Sequence, residues 1–157
     1  PFIDKLQMVF DEGLYDPANE PDIAYPYLFS YFKGEEWRTQ KETQRLLDKY
    51  FTTKPDGIPG NDDTGTMSSW AIFNMIGFYP DCPGLPEYTL TTPVFNKVTI
   101  RLDPKWYKEN ELVIESNRTG SETLYINKVL LDGKKFNKYR ITHDELVHGK
   151  RLIFDLK

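Results

Sequence analysis

The spacing of apolar residues changes once along this chain, and that change limits the folds open to it. Over residues 1–80, apolar side chains recur at the three- and four-residue spacing of helices that bury one face. Beyond the Pro- and Gly-rich segment DCPGLPEY they alternate with polar residues, as in strands with one wet face. This order predicts an α+β fold, with helices over 1–83 and an antiparallel β-sheet or small sandwich over 84–157.

The first part predicts four helical segments. The third carries Lys41, Glu42, Arg45 and Asp48, which we expect to face outward. The fourth is apolar on nearly every side, so we expect it to be buried. In the β part, Asp132-Gly133 predicts a hairpin turn. The four segments are Phe2–Phe10 (closed by Gly13), Ile23–Phe32 (closed by Gly34), Trp37–Phe51 and Met67–Phe78.

Composition excludes several classes of protein. Hydrophobic residues make up 39% of the chain and charged residues 28%, which is ordinary for a globular protein. The net charge of −4, with no basic stripe, argues against a nucleic-acid partner. No apolar run is long enough for a membrane span, and the single Cys82 excludes an intrachain disulfide. The chain opens PFIDKLQMVF, inside a helical pattern, so we expect a piece of a longer protein whose targeting signal lies upstream.

The stretch DGIPGNDDTGTMSSW, residues 56–70, runs from a turn-rich loop into the buried helix. A helix start has unpaired N–H groups and partial positive charge, which favour a nearby carboxylate such as Asp62 or Asp63. One capping residue would satisfy that need, and the stretch holds several more polar side chains. The surplus indicates a bound cation or an acid–base pair.

A second acid-rich junction is DPANEPDIAYPYLF, residues 16–29. By itself, an N-cap at Asp22 would explain it. Two such loop-to-helix junctions with aromatic neighbours change the interpretation. If the helices form a toroid, such loops converge at one end of it. The aromatic neighbours are Tyr25, Tyr27 and Trp70.

A bound metal would have to be a hard one. An EF-hand reading of the stretch fails, because Gly65 stands at a ligand position and Ile72 at the twelfth. Zinc is disfavoured because both histidines, His143 and His148, lie in the β part beside a single cysteine in the chain. The remaining oxygen donors favour calcium over transition metals.

Three segments resemble the C-terminal part of glycoside hydrolase family 92, whose members are calcium-dependent exo-α-mannosidases often assigned to α-1,2 linkages. The resemblance implies that residues 1–83 are the last helices of an (α/α)6 toroid and that hydrolysis proceeds with inversion. It also implies mannose-containing glycans as substrate. The segments are PYLFSYFKGEEWRTQ, PDGIPGNDDTGTMSSWAIFNMIGFYP, and Tyr88 with Pro93-Val94-Phe95.

The resemblance also implies roles for single residues. Asp63 matches the general base, and Asn61 stands where other members have an Asp that assists it. Since Asn cannot accept a proton, orientation of the water is the role left for Asn61. Asn19 and Glu20 match an Asn-Glu-Pro segment and become candidate calcium ligands. Candidate substrate contacts are Glu20, Asp62, Thr64 and Trp70.

The family's general acid lies upstream of these strings. We therefore expect this chain to need the upstream catalytic half of the same protein and to be inactive alone. The resemblance implies a bacterial, periplasmic or secreted enzyme. Two alternatives remain at this point: a carbohydrate-binding module in the β part, or a structural fragment whose acidic loops only cap helices.

Overall fold

The computed structural model describes residues 1–120 and 123–157. These residues form two compact units, Pro1–Ile72 and Phe73–Lys157. The first is helical and the second is built on two β-sheets, which confirms the predicted α+β class. Among the described residues, no helix has the length and apolar character of a membrane span. The division falls inside a helix, ahead of the position 83/84 expected from sequence, which stays a prediction about the family's domains.

The first unit contains four helical segments close to those predicted. One of them is a 3₁₀ helix with Pro26 in its interior, which we call the 3₁₀ segment. Helix α3 begins in the first unit and ends in the second. The segments are α1 Phe2–Asp11, the 3₁₀ segment Glu20–Tyr31, α2 Glu36–Tyr50 and α3 Thr66–Ile76.

Glu42 on α2 corrects one expectation from sequence. It was predicted to face solvent, yet it is fully buried. Gln7 Nε2 on α1 donates to Glu42 Oε1 at 2.8 Å. Arg45 Nε lies 2.9 Å from Glu42 Oε2 as an ion pair, without the alignment of a hydrogen bond. Since Arg45 also donates to the carbonyl of Phe10 at 2.8 Å, this buried charge joins α1 to α2.

The second unit places its strands in two sheets of order β1-β2-β7 and β3-β4-β8-β5-β6. All pairs are antiparallel except β4 and β8, which run parallel. Alternation in sequence identifies the buried face but not strand direction, so this pair was not predicted. The strands are β1 Phe78–Tyr79, β2 Glu87–Leu90, β3 Lys97–Arg101, β4 Glu111–Arg118, β5 Ile126–Leu131, β6 Lys134–Phe136, β7 Arg140–Thr142 and β8 Arg151–Leu156, with α4 at His143–His148.

Two turns in the second unit depend on backbone conformations with positive φ. Asp132 and Gly133, at φ +50° and +77°, join β5 to β6, which confirms the predicted hairpin turn. Gly77, at φ +117°, follows α3 and precedes β1, so this helix stops at Ile76 rather than at Phe78. The helix is not buried on every side as expected, because Ile72 is 57% exposed. The unit packs on one core that includes Leu112, Ile114, Ile141, Leu152 and Phe154.

Candidate active site

The acid-rich loop enters α3 through a strained turn. The amide of Gly65 donates to the carbonyl of Asp62 at 3.0 Å, which closes a four-residue turn. Its two central residues, Asp63 and Thr64, have φ of +44° and +62°. Each non-glycine residue in this left-handed region costs about 1–2 kcal/mol. Such strain persists only where surrounding contacts impose it, and it is frequent at functional sites.

Asp62 supplies the contacts that impose this turn. Its carboxylate accepts the backbone N–H and the hydroxyl of Ser68, both at 2.7 Å. These bonds, the backbone one first, hold the pKa of Asp62 below its ordinary value. Asp62 therefore caps α3. The sugar contact predicted for this exposed residue stays a prediction, and the structure adds a supporting role in the turn.

Asp63 is placed differently from its neighbour. Its side chain is exposed, and within residues 1–120 and 123–157 its carboxylate makes no hydrogen bond or ion pair. Only its backbone is held, since its carbonyl accepts the Thr66 hydroxyl at 2.8 Å. The neighbours Asn61 and Thr64 are exposed as well. The Asp63 carboxylate is thus exposed and unpaired, whereas the Asp62 carboxylate accepts two hydrogen bonds from Ser68.

The two acid-rich loops lie against each other, as the sequence predicted. Gly60 has φ +64°, and a Cβ built on it would lie 2.7 Å from the Cβ of Ala18. Ordinary carbon–carbon contact needs about 3.5–4.0 Å, so any larger residue at position 60 would push the loops apart. Position 60 thus brings the loop that carries Asn19 next to the loop that carries Asp63.

The buried side chain of Trp70 connects α3 to the 3₁₀ segment. Its ring is only 2% exposed and stacks on Phe51, with ring centroids 5.4 Å apart. Its indole N–H donates to the carbonyl of Ile23, in the 3₁₀ segment, at 3.3 Å. We predicted a substrate contact for Trp70. Because the ring is enclosed, we reassign it to holding α3 against the 3₁₀ segment.

Asn19 and Glu20, the predicted calcium ligands, are both exposed at the start of the 3₁₀ segment. Asn19 Nδ2 donates to Asp22 Oδ1 at 3.3 Å, which leaves the amide oxygen of Asn19 as a possible ligand. These are the hard oxygen donors that calcium takes, but calcium needs about six to eight of them. Across the part of the chain that the structure describes, no three His, Cys, Asp or Glu side chains form a metal-binding group. Asn19 and Glu20 therefore fit only a share of such a site.

Comparison with known proteins decides the family. All 157 residues match the model of the Glycosyl hydrolase family 92 catalytic domain. The chain belongs to this family.

Solved structures agree with this assignment. A family 92 α-mannosidase from Bacteroides thetaiotaomicron has 31% identity and a TM-score of 0.89, over 99% of this chain and 21% of that one. A family 92 inverting mannosidase from the same organism has 34% identity and a TM-score of 0.80, over 96% of this chain and 20% of that one. An Arthroderma benhamiae protein described as an uncharacterized secreted glycosidase is 28% identical over 151 residues, 96% of this chain and 19% of its own length.

This family 92 chain thus spans about a fifth of the length of these relatives. The predicted family is confirmed.

A groove of about 670 Å³ lies in the second unit, lined by strand residues such as Lys97 and Glu115, and none of its lining residues belongs to the acidic loops.

One residue of the site was not assigned a role from sequence. Ser68 was only one of the several further polar side chains in the stretch. It lies six residues after Asp62, outside the usual two- to three-residue reach between a capping side chain and the amides it accepts. Sequence therefore offered no signal that singled it out.

Proposed function

We propose that this chain carries the general base of an inverting exo-α-mannosidase, and that the base is Asp63. The observation that carries the proposal is the unpaired, exposed carboxylate of Asp63 on a strained turn next to a second acid-rich loop. The family assignment and the mannosidase relatives support the reaction class. The alternative in which the acidic loops only cap helices explains the hydrogen bonds of Asp62, but it assigns no role to the carboxylate of Asp63.

The proposed reaction uses Asp63 as its base. Asp63 takes a proton from a water molecule while the water oxygen forms a bond to the anomeric carbon of a terminal α-mannoside. The glycosidic C–O bond breaks, and its oxygen receives a proton from a general acid on the opposite face of the sugar. Inverting pairs lie about 6.5–9.5 Å apart, which leaves room for the water. We propose that the acid comes from another part of the enzyme, so that this chain alone does not turn over substrate.

Neighbouring groups complete the water and sugar site in this proposal. The Asn61 side chain orients the water, because an amide can donate to it and accept from it. Thr64 and Glu20 lie on exposed loop positions from which they hydrogen-bond sugar hydroxyls.

We further propose that Asn19 and Glu20 supply oxygen ligands to a calcium ion whose other ligands come from elsewhere in the enzyme. A bound calcium ion would hold vicinal sugar hydroxyls. We also propose α-1,2-linked mannose as the substrate, and export from the cell, with the secreted relative in support of export.

The decisive experiment compares Asp63→Asn with Asp56→Asn in the full-length enzyme. Asp56 is an exposed carboxylate of the same loop, so its variant removes the same charge from the same region. Loss of a general base lowers kcat by about a hundredfold or more, and we expect that loss for Asp63→Asn alone. Release of β-mannose, followed by NMR, measures both turnover and inversion. Near-normal turnover of Asp63→Asn would refute the proposal.

A further inference from the structure

Two adjacent carboxylates, Asp62 and Asp63, have opposite surroundings, and Ser68 makes the difference. Ser68 gives the Asp62 carboxylate two donors, its amide and its hydroxyl, each at 2.7 Å. Asp63 has no such partner within the described residues. The hydrogen bonds run from the first turn of α3 back to the residue that precedes Asp63.

We propose that Ser68 is a positioning residue for the general base. Ser68 donates two hydrogen bonds to Asp62 and so stabilises the turn from which the Asp63 carboxylate extends. This inference rests on the proposed function of Asp63. Ser68 itself touches neither water nor sugar in this account.

The turn needs such an anchor because its relaxed form is different. Asp63 and Thr64 both have positive φ, a conformation that non-glycine residues leave unless contacts hold them. Rotation of either residue back to negative φ would redirect the Asp63 side chain. A second anchor, the Thr66 hydroxyl on the Asp63 carbonyl at 2.8 Å, holds the other side of the turn.

Ser68 can act as an anchor because its helix is itself fixed. Met67 and Trp70, its neighbours on α3, are 3% and 2% exposed. Packing of these two side chains immobilises the first turn of α3, since buried side chains occupy close-packed interiors. Ser68 therefore ties the turn that carries Asp63 to a packed helix, and packed elements hold a catalytic group more precisely than loops do.

The next residue offers a matched control. Ser69 lies on the same turn of α3, and its amide donates to the Gly65 carbonyl at 2.9 Å in the ordinary helical pattern. Its side chain is exposed and makes no hydrogen bond within residues 1–120 and 123–157. Ser69→Ala thus has the same intrinsic effect on the helix as Ser68→Ala, without loss of a bond to Asp62.

The experiment uses the full-length enzyme with Ser68→Ala, Ser68→Thr, Ser69→Ala, Asp63→Asn and the double variant S68A/D63N. Misplacement of a reacting group by about 1 Å can cost a hundredfold in rate, and Ser68→Ala keeps one of the two bonds, so we expect about a tenfold lower kcat. KM should change by less than about twofold, because ground-state binding is kept. Ser68→Thr retains a hydroxyl and should restore most of kcat, and Ser69→Ala should match the wild type.

The double variant separates positioning from general damage. If Ser68 acts only through Asp63, then Ser68→Ala costs nothing further once Asp63 is Asn. Circular dichroism gives the folded fraction of each variant, by which kcat is corrected. A corrected kcat of Ser68→Ala equal to that of Ser69→Ala, or the same fold-loss in both backgrounds, would overturn this inference even if Asp63→Asn shows its expected loss of about a hundredfold. If Asp63→Asn stays active, the proposed function fails and the inference fails with it.

Discussion

Replacement of Gly60 by Ala tests whether the close approach of the two acid-rich loops matters. The new Cβ would lie 2.7 Å from the Cβ of Ala18 and 3.2 Å from its Cα, so the loops must separate by about 1 Å to reach ordinary contact. The substitution also places a Cβ on a backbone at φ +64°, which costs about 1–2 kcal/mol. Overpacking adds about 1–3 kcal/mol, nearer the low end because both loops are at the surface. We expect a total loss of about 2–4 kcal/mol.

Gly13→Ala is the control that isolates the backbone cost. Gly13 has φ +70°, nearly that of Gly60, but a Cβ there meets nothing within 4 Å. Urea denaturation of the three proteins gives the free energy of unfolding of each. The excess loss in Gly60→Ala over Gly13→Ala measures the contact with Ala18. Ala18→Gly in the Gly60→Ala background removes the 2.7 Å contact and leaves the one at 3.2 Å, so it should recover most of that excess.

Activity reports the geometry of the same contact. In the full-length enzyme, a 1 Å separation of the loops should lower kcat/KM by roughly tenfold to a hundredfold, and Ala18→Gly should restore much of it. Equal stabilities of Gly60→Ala and Gly13→Ala, with no rescue by Ala18→Gly, would refute the view that steric fit at Gly60 sets the distance between the loops.

Three further predictions concern charge. The hydrogen bonds from Ser68 lower the pKa of Asp62 from 3.8, so the stabilisation by Asp62 is present above the unfolded pKa and is lost as pH falls through the lower folded pKa. In Asp62→Asn, the urea midpoint should therefore depend less on pH in that window. An unchanged slope of the urea midpoint at acid pH would contradict this. Glu42→Ala should lower the free energy of unfolding in urea by about 2–4 kcal/mol, because Gln7 loses a buried acceptor while Arg45, 40% exposed, regains water. A smaller loss than that of Asp48→Ala, at the exposed end of α2, would count against this prediction. Glu20→Gln should weaken calcium binding to the full-length enzyme at least about tenfold in calorimetry, since a ligand charge is lost; Glu12→Gln is the control, and equal affinities would exclude Glu20 as a ligand.

Much of the site could be predicted from local sequence, because capping and turn formation act over a few residues. The stretch before α3 indicated adjacent acids at a helix start, and the structure has Asp62 there as a cap. The division of roles between Asp62 and Asp63 could not be predicted. It depends on which residue adopts positive φ and on a bond to Ser68 six positions away.

Burial shows the same limit. The outward pattern of α2 predicted an exposed Glu42, whereas the partner Gln7 on α1, 35 residues away, makes burial of the charge tolerable. Trp70 was predicted to contact the substrate. Its stacking on Phe51 and its bond to the Ile23 carbonyl place it in the core instead.

By itself the sequence determined the α+β class and the sites of the turns, since hydrophobic period and glycine placement are local properties. The family and the candidate base came from the resemblance of its motifs to a known family. Only the tertiary structure decided that the Asp62 carboxylate is hydrogen-bonded to Ser68 while the Asp63 carboxylate is exposed and unpaired. It also decided that Gly60 and Ala18 touch, and that β8 lies parallel to β4. The physical reason is that distant segments set these outcomes through packing and hydrogen bonds, which the order of residues along the chain does not specify.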